Sequence, residues 1–74
     1  MFIYYKGVQY DVADVLSRES CEVKLSLNGQ SRKWEAKVYW NWEKMDVKDY
    51  DGESIEWVLC KAVRDRVEEG EKEN

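Results

Sequence analysis

Seventy-four residues bound the chain to one domain, near the size at which a single hydrophobic core gives only a thin margin of stability. Twelve Lys and Arg stand against sixteen Asp and Glu, a net charge of −4, with no His and two Cys. That composition argues against histidine-based acid–base catalysis, against a closed zinc site with its four nitrogen or sulfur ligands, and against a spanning helix, since no apolar run approaches ~18 residues.

Met1–Tyr10 alternates in a way that fits a short hairpin turning at Lys6-Gly7, where Gly7 supplies the positive φ of a tight turn. Tyr5 then faces Val8 and Ile3 faces Tyr10 on one side, with Phe2, Tyr4 and Gln9 on the other. The opening residues lack the basic and long apolar regions of a secretory signal, so a cytoplasmic setting is expected. Cys21 and Cys60 are accordingly expected to be reduced and buried, a single disulfide being the alternative.

From Asp11 to Glu19 the period changes: Val12, Val15 and Leu16 are spaced three and four apart, and Asp11 is a natural N-cap. The spacing predicts a helix of about two turns that must lean on a sheet; a strand continued through Val12 competes with it.

Cys21–Glu43 reads as two alternating strands hinged at Asn28-Gly29, the strongest short hairpin signal. Cys21, Val23, Leu25 and Leu27 share a face with Trp34, Ala36, Val38, Trp40 and Trp42. A two-residue loop pairs Val23 with Trp34; a loop of Asn28–Ser31 pairs Leu25 with Trp34 and Cys21 with Val38. Both registers keep the same faces together. The second strand is the longer one and must bend or pair elsewhere beyond Val38.

Lys44–Glu53 reads as a polar connection with turn chemistry at Asp51-Gly52, in which Met45, Val47 and Tyr50 either extend a strand or pack over a core edge. Ser54–Glu69 is the clearest helix: Ile55, Val58, Leu59, Ala62, Val63 and Val67 form one stripe, with Asp51 or Ser54 as cap, Gly70 as the C′ residue and a disordered charged tail at 71–74. The expected fold is α+β in a single domain over 1–70. It is an antiparallel sheet of about four strands in two hairpins, with a short helix after the first and a longer C-terminal helix covering one face.

Charge is unevenly placed. Residues 18–44 carry six bases and four acids, whereas 45–74 carry five bases and ten acids, a net −5. Such an acidic region is either a solvated face or a surface for a basic partner, including the nucleic-acid groove of another protein. The carboxylates Asp46, Asp49 and Asp51 lack the spacing of a calcium loop, so no metal or cofactor is expected.

Four Trp, five Tyr and one Phe exceed what a small core requires. Trp34 and Trp40 have the parity of the buried face; Trp42, near the strand end, is either core or contact surface. Trp57 lies about 180° from the centre of the helix stripe, with Arg64 on the same side. An exposed Trp beside an Arg is a pair enriched at interface hot spots, and a covering segment is the alternative. Tyr39, Lys33, Lys37 and Lys24 look like the dressing of a sheet that stacks single-stranded nucleic acid, but Glu22, Glu35, Glu43 and the net charge oppose phosphate contacts.

In size, acidity and aromatic content the chain is similar to small accessory proteins of phages and mobile elements, many of which bind and block a host protein. That likeness is one of class and assigns no residue a role. The expected function is therefore a non-enzymatic protein-binding module, an inhibitor occupying a basic surface through Trp57, Arg64, Asp46, Asp49, Asp51, Trp42 and Tyr39. Single-stranded nucleic-acid binding and a structural homodimer, formed through the long second strand or Trp57, are the alternatives.

Overall fold

The structure, a computed structural model, describes residues 1–19, 21–40 and 47–72. β1 (Phe2–Tyr5) and β2 (Val8–Asp11) pair antiparallel with Ile3 opposite Tyr10 and Tyr5 opposite Val8, in the register expected. Lys6 (φ 50°) and Gly7 (φ 80°) both adopt left-handed conformations, the signature of a two-residue turn whose twist matches that of the strands. Asp11 ends β2 and caps the next element: its Oδ1 accepts from the Ala13 N–H at 3.1 Å, so the chain passes directly from strand into α1 (Val12–Arg18). Val12 and Val15 of this helix are buried, as their spacing requires.

β3 (Glu22–Asn28) and β4 (Lys33–Tyr39) form the second hairpin, but in neither register that the Asn-Gly signal suggests. Leu27 pairs with Trp34, Leu25 with Ala36 and Val23 with Val38, and Gly29–Arg32 form the loop. Side-chain chemistry accounts for the difference. The Asn28 Oδ1 accepts from the N–H groups of Gln30 (3.0 Å) and Ser31 (3.2 Å), its carbonyl accepts from Arg32 N–H (2.8 Å), and Arg32, not Gly29, takes the left-handed conformation at φ 60°. The shift is even, so each residue keeps its face.

The two turns respond oppositely to alanine. Gly7→Ala forces a Cβ into left-handed backbone and is expected to cost ~1 kcal/mol. Gly29→Ala meets no neighbouring atom within 4 Å and needs no unusual φ, so it is expected to gain ~0.4–1 kcal/mol by stiffening the unfolded chain. Urea unfolding of the two variants measures the contrast, and a loss at Gly29 would refute this loop conformation.

The polar connection contains a strand. β5 (Val47–Gly52) pairs antiparallel with β4, placing Asp49 opposite Lys37, Tyr50 opposite Ala36 and Gly52 opposite Trp34. Among the described residues five strands therefore stand where about four are expected, divided into a two-stranded sheet and a three-stranded sheet ordered β3-β4-β5. β4 finds its second partner along most of its length rather than only past Val38, and it ends at Tyr39, before Trp42.

α2 (Ile55–Lys72) begins at Ser54, whose Oγ accepts from the Trp57 N–H at 3.1 Å, so Ser54 and not Asp51 is the cap. The helix runs through Gly70 to Lys72, so Gly70 is not its C′ residue. The first two residues of the expected tail, 71 and 72, are helical, and 73–74 lie outside the described residues.

α2 lies between the two sheets. Val58 and Ala62 pack onto Ala36, Val38 and Trp40 on one side. Val63 packs with Val12 and Val15 on the other, where Ile3, Tyr10, Leu59, Cys60 and Val67 close the cluster. Arg66 ties the parts together: its Nη2 donates to Glu19 Oε2 at 3.0 Å, and its guanidinium lies over the Trp40 ring, 5.3 Å from the centroid. The cover stops short of β3. α2 packs against β4 and β5, leaving Leu25 (41 %) and Leu27 (57 %) exposed on the face expected to be buried.

Candidate interaction surface

Trp57 occupies the first turn of α2, where the Ser54 cap fixes its backbone. The six-membered part of its indole lies close against Gly52 of β5: a Cβ built on Gly52 would overlap the ring at Cε3 and sit 3.0 Å from Cζ3. The missing side chain at 52 is what makes the seat. Trp57 is nonetheless 54 % exposed. Of the two readings open from sequence, the exposed one holds among the described residues.

The Trp57 ring forms a wall common to two open clefts. Ile3, Tyr4, Cys60, Lys61 and Arg64 line the first, and Lys33, Asp51, Glu53 and Ser54 line the second. Among the described residues no carboxylate lies within ion-pair range of Arg64, and Lys61 has only a loose, exposed contact of 3.7 Å to Asp65. Tyr4 and Phe2, on the outer face of the first hairpin, are 66 % and 56 % exposed and extend the apolar surface from the first cleft. Asp51, Glu53 and Glu56, all exposed, make the β5–α2 corner acidic.

Trp57, Arg64 and Asp51 are therefore brought together. Tyr39 and Asp49 are not: they lie farther along the open face of the three-stranded sheet, at whose end Asp51 also stands, opposite Glu35; there Lys24 sits over the Tyr39 ring at 5.5 Å and Asp49 is opposite Lys37. That face is a lattice of both signs, with Glu35 held by the Asn28 Nδ2 at 3.0 Å, and it is not the acidic surface that the count over 45–74 suggests. Asp46 and Trp42 lie outside the described residues. Tyr4, Lys61 and Gly52 escaped sequence reasoning. Tyr4 had a signal, its parity opposite to Ile3, whereas nothing local marks Gly52 as the seat of a ring five residues on.

Cys21 and Cys60 are both free and half-buried rather than fully buried. Burial pushes the Cys21 thiol up to about 11, against the opposing pull of Arg66, so little thiolate is present at neutral pH. Among the described residues no group of three His, Cys, Asp or Glu could hold a metal ion, and no helix is long and apolar enough to cross a membrane. Compared with protein-family models, curated proteins and solved structures, the chain has no match.

Proposed function

We propose that this chain is a non-enzymatic protein-binding module whose anchor is Trp57, acting in the cytoplasm on a partner with a basic surface. The observation that carries the reading is an indole seated against Gly52 while the residue remains 54 % exposed. A ring already held in place loses little freedom on binding, which favours an aromatic anchor at the centre of an interface. The acidic corner of Asp51, Glu53 and Glu56 beside it, within a region of net −5, supports a basic partner. By likeness of class, that partner is a host protein whose nucleic-acid-binding surface the chain occupies.

Capture from a host lysate, compared between the parent protein and its variants, tests this. Trp57→Ala is expected to weaken capture by roughly thirtyfold, as loss of a hot-spot residue does, with little change in melting temperature. Asp51→Lys combined with Glu53→Lys is expected to weaken capture mainly at low salt. Equal capture by the parent and both variants would remove this surface from the function.

Single-stranded nucleic-acid binding through Tyr39, Lys33 and Lys37 is supported less well, because Lys24 already occupies the Tyr39 ring and the acidic Asp49 stands opposite Lys37 in the sheet. Absence of tryptophan or tyrosine quenching by oligonucleotides at low salt would end that reading.

A further inference from the structure

We propose that β3 pairs with β3 of a second copy, antiparallel about a twofold axis through Leu25, joining two three-stranded sheets into one of six. β3 is an edge strand of seven residues with one side hydrogen-bonded to β4, and among the described residues no strand pairs with its outer side. It contains no Pro and no Gly, and Lys24 is its only base, so it has few of the devices that keep a sheet edge from pairing.

The sequence of β3 is complementary to itself in one full-length register. With Leu25 on the axis, Val23 of each copy faces Leu27 of the other, Lys24 faces Ser26 and Glu22 faces Asn28. All seven residues pair, no charge directly opposes a like charge, and partners share a parity, so the core faces of both sheets lie on one side. Moving the axis to Lys24 sets two ammonium groups opposite each other; moving it to Val23 shortens the overlap. The other edge of the sheet gives the contrast. β5 carries Asp49 and Asp51, and its near full-length in-face registers set Asp49 against Asp49 or against Asp51.

Self-pairing also accounts for the uncovered apolar residues. Leu25 and Leu27 are exposed because α2 stops over β4 and β5, and in the six-stranded sheet they meet Leu25 and Val23 of the other copy. Seven residues of edge make a small interface, so the dimer forms in a concentration-dependent way. Trp57 stays outside it. The inference thus goes beyond the proposed binding function and makes it divalent, with two Trp57 surfaces on one assembly.

Ser26 gives the test, because it lies on the open face opposite Glu35 of its own sheet and opposite Lys24 of the other copy. Sedimentation over a wide concentration range is expected to show reversible dimerisation of the parent. Ser26→Lys places two like-charge contacts in the dimer and is expected to weaken it roughly fivefold, whereas Ser26→Glu creates two opposite-charge contacts and is expected to tighten it by a similar factor. Within one copy the signs reverse, since Ser26→Lys gains Glu35 and Ser26→Glu opposes it. A weaker dimer with an undiminished melting temperature therefore identifies the intermolecular contact. Trp57→Ala is expected to dimerise like the parent, which separates this test from that of partner binding. A parent that stays monomeric to its solubility limit overturns the proposal, and so does a dimer indifferent to both Ser26 variants.

Discussion

Replacement of Trp40 by Ala is expected to cost about 3–5 kcal/mol, the range for removing a buried large aromatic side chain. A chain of this length has a total stability of roughly 4–11 kcal/mol, so the variant is expected to lack much of its cooperative thermal transition at ordinary temperatures. Trp40 is 2 % exposed, directly follows β4 and packs with Ala36, Val38, Val58 and Ala62. Among the described residues no other buried side chain of the core is as large. Its loss leaves a void between sheet and helix and strips the guanidinium of Arg66 of the ring it covers, which loosens the bond from Arg66 to Glu19 as well. Trp40→Phe keeps a ring in place and is expected to retain a clear transition at reduced temperature. Circular dichroism melts of the two variants check the order; a loss below about 1 kcal/mol for Trp40→Ala would show that the void collapses without penalty.

Gly52→Ala is expected to have the second largest effect, about 1–3 kcal/mol, because the added methyl group and the Trp57 ring cannot occupy the same space. Gly52 has no left-handed φ, so the penalty is steric and not conformational. That distinction predicts a change of sign. In a Trp57→Ala background the overlapping ring is gone, and the same substitution is expected to be neutral or stabilising by up to ~1 kcal/mol through the unfolded chain. A double-mutant cycle by denaturant unfolding measures the coupling directly. Gly52→Ala is also expected to turn the indole out of its seat, shift its fluorescence to the red, and reduce partner capture as Trp57→Ala does. Additive effects in the cycle would mean that the ring does not rest on Gly52.

Periodicity was sufficient wherever one residue type repeats against a single buried face. The first hairpin, α1 with its Asp11 cap and the stripe of α2 all follow from spacing and cap chemistry, and each matches the structure in place and kind. Spacing failed where a partner elsewhere in the chain decides. Val47–Gly52 has three charged residues in six and little strand preference of its own; it is a strand because β4 offers it an edge, with Lys37 opposite Asp49. At Asn28-Gly29 the dipeptide signal yielded to the asparagine side chain, which captures two amides and moves the left-handed residue to Arg32. The candidate surface was legible in half. Trp57 and Arg64 are readable from the helix's outer side, but Gly52 and Tyr4 reach them through contacts between elements distant in the chain.

The placement of α2 bears on how the molecule is made. Both sheets bury their apolar sides against this helix, and it follows both of them in the order of synthesis. A nascent chain that has emerged only to β5 holds a two-stranded hairpin, marginal at best in water, and a three-stranded sheet whose apolar face has no helix over it. Packing of the two sheets must wait until this helix has cleared the ribosome, and its valine-rich side then sets the moment at which they condense.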